Sequence, residues 1–304
     1  EAVAAVVAEK YRLRGEYTQL VSERDQNFRL KTPDGRGFVV KVTGLLEDLV
    51  ATDFQIAALC HFEESGFNYA PRVVRTVSGE KRCVITSDDG QEYRLRVVTW
   101  LDGRLLHDVG LTTSNARRFG RRLAELDQSL ESFDFDGDGQ AGLWDMQDAL
   151  QLRSLLPFVN DAKVRQYASE VLTRFEETVV SALRALPRQA IHNDANPENF
   201  LIGADGDVSG FIDFGDALKA PRIIEVAIAA SYLRAGGDNP LKFIEAFVEG
   251  YHQRSPLSDA EFNVLFNLIR TRLATTLIVL FWRFSARDED DPYRRKTLEN
   301  ESNA

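Results

Sequence analysis

The sequence predicts an α+β chain in two lobes. A small, β-rich N-terminal lobe is expected over residues 1–99 and a larger, mainly helical C-terminal lobe over residues 100–304. Three observations carry this. In the first hundred residues short apolar runs are split by turn residues, as Pro33-Asp34-Gly35-Arg36 splits Phe28–Lys31 from Phe38–Val42, the mark of paired strands. From residue 113 onward the apolar period lengthens to that of helices. Within the helical part lie two polar stretches, Ile191–Ile202 and Ser209–Asp216, each a loop joined to a short apolar strand.

In order, residues 1–15 hold a short amphipathic helix with Val3, Val6 and Val7 on one face, followed by a strand from Tyr17 to Val21. The loop Ser22–Asn27 lacks glycine, so phosphate contacts there would come from main-chain N–H groups and polar side chains, with Gln26 and Asn27 as candidates. Lys41 stands in the apolar strand Val39-Val40-Lys41-Val42. A lysine there is costly to bury unless paired, which suits a lysine that binds phosphates, with an outward-facing strand lysine as the alternative. A helix over 45–65 follows, through Leu46, Leu49, Val50, Phe54, Ala57 and Ala58. Asp53 on this helix is the expected partner of Lys41, and Gln55 the fallback. Strands are expected at 72–78, 82–87 and 93–100. The last enters a hinge at about 97–103, where main chain around Val98 and Trp100 would meet the base of a nucleotide.

In the second lobe Ser114 is the expected cap of a helix reaching Leu130. The run Asp134-Phe135-Asp136-Gly137-Asp138-Gly139, with Asp145 at position twelve, is like the start of a calcium loop but lacks the closing Glu. A polar surface turn is the preferred reading and bound Ca²⁺ the alternative. Trp144-Asp145 opens a helical region to Leu155, and a long helix spans roughly 161–184. Arg222–Leu233 reads as a buried helix whose one carboxylate, Glu225, needs a partner. An Arg ion pair is expected there, with substrate contact as the alternative. Residues 240–252 and 259–284 are helical. Asn263–Phe284 is the most apolar segment, yet Arg270, Arg272 and Arg283 interrupt it, so a buried helix is expected rather than a membrane span. The charged tail from Arg287 is expected to be loosely held.

With 304 residues, 44% of them hydrophobic, the chain is long enough for a sizeable core. A net charge of −10 argues against general binding to nucleic acid or membrane surfaces, but not against binding a nucleotide whose phosphates are neutralised locally. Cys60 and Cys83 are too few for a disulfide framework and read as free thiols in a reducing compartment. Glu1-Ala2-Val3 lacks the basic start of a secretory leader, so the cytoplasm is the expected location.

The chemistry is expected at three side chains. Asp194 is placed to orient an alcohol and take its proton. Asn199 and Asp213 offer the hard oxygens that hold Mg²⁺ on the phosphates of ATP or GTP. The spacing H-x-D-x-x-x-x-N from His192, followed 14 residues after Asn199 by Asp213-Phe214-Gly215, matches the catalytic and metal-binding segments of kinase-like phosphotransferases. His192 has no second histidine at a metal-ligand spacing and is read as a brace for the loop.

At these residues the chain resembles the aminoglycoside phosphotransferase and choline kinase superfamily, with its protein-kinase-like fold, and within it hydroxylysine kinase and its bacterial relatives. The resemblance runs through Asp25–Phe28, Val40–Val42, Asp53–Gln55, Thr99–Arg104, His192–Ile202, Ser209–Asp216 and Glu225–Ile228. It implies Lys41 on the nucleotide phosphates, Asp194 as base, and Asn199 and Asp213 as metal ligands. The expected acceptor is a hydroxylated amino acid or an amino-alcohol. Asp216 would anchor its ammonium or else cap locally. Trp144, Arg272 and Trp282 would line its cleft or else pack the core. An aminotransferase partner or fused domain also comes with the resemblance. Two departures stand out: Asp53 is shorter than the usual Glu, and Asn193 replaces the commoner Gly of H-G-D. Rival readings are an aminoglycoside, choline, ethanolamine or homoserine kinase, or a nucleotide-binding regulatory module. The missing glycine loop, the lack of an Arg before Asp194 and the lack of an A-P-E segment oppose a protein kinase.

Overall fold

The computed structural model describes residues 2–20, 26–44, 49–87, 90–137 and 142–287. Val21 of the expected first strand, residues 22–25 of the expected loop, Leu46, residues 88–89, Asp138 and Gly139 of the aspartate run and the residues beyond 287 lie outside them. Two compact units divide the chain. One comprises Glu1–Val109, Ser132–Gln140 and Glu198–Gly215, the other Gly110–Glu131, Ala141–Pro197 and Asp216–Ala304.

The first unit begins with helix α1 (Ala2–Lys10), then β1 (Glu16–Leu20), β2 (Gln26–Lys31), β3 (Gly37–Gly44), helix α2 (Leu49–Glu64), β4 (Val73–Val74), β5 (Cys83–Thr86) and β6 (Glu92–Thr99). These strands form one antiparallel sheet in the order β1-β2-β3-β6-β4, with β5 also paired to β6. Strand alternation sorts the residues by face. Val40, Val42, Leu95 and Val97 join Val7, Tyr11 and Leu30 in a buried core, and Val3 and Val6 of α1 pack against it. The intervening residues Lys41, Arg94 and Arg96 therefore share the opposite face, with Lys41 directly across from Arg96. The unit adds β7 (Arg104–Leu105), the short helix α3 (Leu106–Val109), and, from later in the chain, β9 (Phe200–Ile202) and β10 (Val208–Phe211), which pair in the order β10-β9-β7. The register slips between Val208 and Gly210, a bulge that bends β10 just before Asp213.

The second unit is helical. It holds α4 (Thr113–Leu130), a 3-10 helix (Met146–Phe158), α5 (Ala162–Thr178), α6 (Val180–Ala185), the strand pair β8 (Gln189–Ile191) and β11 (Leu218–Ala220), α7 (Ile223–Ser231), α8 (Lys242–Arg254) and α9 (Asp259–Arg287). The cap of α4 is Thr112 rather than Ser114: its hydroxyl accepts the Asn115 N–H while the Asn115 side chain accepts the Thr112 N–H. A reciprocal box satisfies two otherwise unpaired donors, whereas Ser114, two residues on, already lies inside the helix. Where one helix was expected over 161–184, Val179 divides α5 from α6. At Gly120 and Gly250 the backbones of helices α4 and α8 come into direct contact. A Cβ on Gly120 would stand 1.9 Å from the Phe247 carbonyl oxygen, and one on Gly250 would stand 2.0 Å from that of Arg117. By length and composition α9 is able to cross a membrane, but 78% of its apolar window is buried within the chain. It is a core helix, tied at its start to α7 by Arg222, which donates to both carboxylate oxygens of Glu261 at 2.8 and 3.2 Å.

Candidate active site

In the first unit the structure brings Lys41, Asn199 and Asp213 together. Lys41 Nζ donates to Asp213 Oδ1 at 3.2 Å, spanning 172 residues of sequence. The Ile212 N–H donates to the Asn199 carbonyl at 2.8 Å, so the residue before Asp213 lies beside Asn199 past the paired ends of β9 and β10. Asp213 takes φ +58, a left-handed conformation that Asp tolerates better than most side chains and that ends the strand in a sharp turn. Its side chain is 56% exposed while that of Lys41 is 17% exposed. Phe214 is buried against Phe62 of α2, with ring centroids 5.3 Å apart.

Asp53 is not the partner of Lys41. Its carboxylate is taken by both terminal nitrogens of Arg82, Nη2 at 3.2 Å. Gln55, the fallback, also bonds elsewhere: its Nε2 donates to the Gly215 carbonyl at 3.2 Å and its Oε1 accepts from Arg96 at 3.3 Å. Gln26 and Asn27 belong to β2 rather than to a loop. Gln26 is exposed, and Asn27 lies directly across from Lys41, buried with its Oδ1 unpartnered. Val98 sits inside the ladder, opposite Val39 on one side and Val73 on the other, and the Trp100 N–H donates to Gly37. Val98 thus lies between two strands, and the Trp100 N–H is taken up by the sheet. Trp100 instead offers its ring to the guanidinium of Arg29, 4.1 Å away.

In the second unit Asp194 lies after β8 on a loop fixed from beneath. The Asn193 N–H donates to Glu225 Oε2 at 2.7 Å, and the Asp194 N–H donates to Nδ1 of the fully buried His192 at 3.2 Å. Asn193 takes φ +63, which explains why Gly would suit this position and why Asn is an acceptable substitute. Glu225 therefore has the main chain of this loop, not an arginine, as its partner. The arginine three residues before it, Arg222, serves Glu261. Burial raises the Glu225 pKa above the usual carboxylate value, against the pull of His192 and the Asn193 N–H.

Arg272 of α9 donates to Asp194 Oδ1 and to the Tyr232 hydroxyl, both at 3.3 Å, and lies over the Trp144 ring at 4.8 Å. Its side chain is 3% exposed against 23% for Asp194, and its Nε and Nη1 have no partner. Burial opposes its charge, but Tyr232, Asp194 and then Asp216 outweigh that and raise its pKa. Trp282 is half-buried on the same helix. Asp145 caps the 3-10 helix by accepting the Gln147 N–H at 2.9 Å, so the twelfth position of the aspartate run has a structural role.

A family model described as the phosphotransferase enzyme family matches residues 16–262. The chain belongs to this family. Hydroxylysine kinase of Mus musculus is 26% identical over 298 residues, covering 90% of this chain and 79% of that protein. Two solved structures share the fold. Amicoumacin kinase in complex with AMP-PNP, Ca²⁺ and Ami superposes with a TM-score of 0.75 at 15% identity, over 99% of this chain and 91% of that one. The microcompartment-associated aminopropanol kinase gives 0.69 at 14%, over 99% and 93%. The fold is the protein-kinase-like one, and the chain is a phosphotransferase that acts on hydroxyl groups.

Two residues that brace these segments, each within its own unit, have contacts that sequence reasoning did not assign. Glu225 was visible as a lone acid on an apolar helix, but its partner is a main-chain donor. Arg96 was hidden because an arginine in a half-apolar strand gives no local sign of what it faces. Among the described residues no group of three or more His, Cys, Asp or Glu is placed to hold a metal. The donor set that fits a hard cation carried by phosphates is the pair Asn199 and Asp213, two oxygen ligands on adjoining segments, one of them on an exposed turn.

Proposed function

We propose that the chain transfers the γ-phosphoryl group of ATP or GTP to the hydroxyl of a hydroxylated amino acid, hydroxylysine-like, or of an amino-alcohol. Asp194 is the base: it accepts a hydrogen bond from the acceptor hydroxyl and takes its proton as transfer proceeds. Arg272 holds one oxygen of that carboxylate and so fixes its direction. Lys41 binds the nucleotide phosphates. Asn199 and Asp213 would hold Mg²⁺, which when bound neutralises phosphate charge. The observation that carries this reading is the Lys41–Asp213 pair, a phosphate-type lysine and a metal-type carboxylate meeting across 172 residues. Hydroxylysine kinase as a relative over 90% of the chain supports the acceptor class. A cytoplasmic location belongs to the same proposal, as does an aminotransferase partner, which rests on the resemblance.

The test is a panel of hydroxylated amines, hydroxylated amino acids and aminoglycosides, screened for acceptor-dependent release of ADP and GDP. A hydroxylated amino acid or amino-alcohol should stimulate release in the wild type and not in Asp194→Ala. Stimulation confined to aminoglycosides would overturn the acceptor class. Equal turnover in the variant would overturn the role of Asp194.

A further inference from the structure

The turn Asp213-Phe214-Gly215 is gripped at each of its residues by its own unit. Lys41 of β3 bonds Asp213, Phe62 of α2 packs on Phe214, and Gln55 of α2 donates to the Gly215 carbonyl at 3.2 Å. The last grip has a direction built into it. Arg96 Nη2 donates to Gln55 Oε1 at 3.3 Å, and Arg96 Nη1 donates to the buried Thr43 hydroxyl at 2.7 Å. A guanidinium has donors only, so the amide must turn its oxygen to Arg96 and its nitrogen to Gly215. Arg96 is itself buried and stands across from Lys41 in the β3–β6 register. One row of the sheet therefore reaches both ends of the turn: Lys41 directly at the carboxylate, and Arg96 through Gln55 at the carbonyl two residues on.

We infer that Gln55 is the positioning residue that keeps Asp213 in place for its cation, a conclusion that rests on the phosphotransfer reading above. The acid of α2, Asp53, is engaged by Arg82. The helix thus holds the turn through a neutral amide and not through a carboxylate on the lysine. This matters when a nucleotide binds. Phosphate oxygens compete with Asp213 for Lys41, and the lysine's hold on the turn weakens at the moment the turn must be in position. A tether of amide to carbonyl carries no net charge, so the incoming phosphates do not compete for it.

Binding of non-hydrolysable ATP and GTP analogues, titrated with and without Mg²⁺, tests this. Gln55→Glu keeps an oxygen for Arg96 but presents a carboxylate to the Gly215 carbonyl, which cannot donate to it. The tightening of nucleotide binding by Mg²⁺ should shrink at least fivefold, while affinity without metal stays within twofold of wild type. Gln55→Leu, which removes both bonds, should behave the same way and serves if the Glu variant does not fold. Full Mg²⁺ enhancement in both variants would overturn the inference, and so would an equal loss of affinity with and without metal. A wild type that binds neither analogue would sink the phosphotransfer reading itself, and this inference with it.

Discussion

The two acidic turns are built on opposite plans. The loop carrying Asp194 rests on buried polar groups: His192 and Glu225 are fully buried and hold its main chain, and Arg272 is nearly so. The turn carrying Asp213 is held at its surface. Its carboxylate is more than half exposed, and its cationic partner is a lysine on a flexible stem. The difference suits the two roles proposed. A base must be aimed within a few tenths of an ångström, which desolvated contacts enforce. A ligand for a cation that arrives with its nucleotide must exchange partners, and a screened lysine pair releases at little cost.

The largest expected effect would break the comparison at its functional end. Asp194→Ala should lower acceptor-dependent kcat by about a thousandfold, in the range that removal of a positioned acid–base group produces. A loss below tenfold would leave the loop's rigidity without a purpose. Next comes the contrast of the two cations. Arg272→Met removes one partner of a buried pair and should cost about 3 kcal/mol or more in denaturant unfolding. Lys41→Met should cost less than about 1 kcal/mol, while weakening nucleotide binding. Equal stabilities would erase the distinction between the two turns. Glu225→Leu leaves the Asn193 N–H buried without an acceptor, a loss of about 1–3 kcal/mol, whereas Glu225→Gln retains an oxygen and should lose less; chemical denaturation of both variants decides it.

The smallest effect concerns pH. Asp127 of α4 is buried and accepts the Tyr251 hydroxyl at 2.5 Å, and burial raises its pKa well above the usual carboxylate value. The folded chain keeps this proton at pH values where the unfolded chain has lost it. Folding then takes up a proton, and stability falls as pH rises from about 4, the unfolded carboxylate value, toward the folded pKa. Asp127→Asn should flatten that decline, measured as unfolding free energy at pH 4 and pH 7.5. An unchanged slope would mean that Asp127 is ionised in the fold.

Much of the fold was legible because it is written in period. Alternation gave the strands around Lys41, and the apolar stripe of 222–233 gave α7. The candidate site was legible in part. A lysine in an apolar strand demands an anion, but the sequence offers Asp53 at close range and Asp213 at 172 residues' distance, and nearness favours the wrong one. Glu225 demanded a partner too, yet sequence displays side chains and hides main-chain donors, so an arginine was expected where an N–H stands. Val98 and Trp100 were assigned to base recognition because a hinge is inferred from order along the chain, whereas their hydrogen bonds depend on which strands flank them. The cap of α4 went to Ser114 because Thr112, Thr113 and Ser114 are all able to cap and only geometry selects one.

The glycine contact between α4 and α8 has a mechanical meaning. Each helix presses a carbonyl oxygen into the space where the other would carry its first side-chain carbon. Sliding either helix by one residue would drive a methyl or larger group into that oxygen, and packed interiors do not yield by such amounts. The pair therefore has a single seating and behaves as a fixed plate. Any breathing of the helical unit during turnover must be taken up by its other joints, such as the break at Val179.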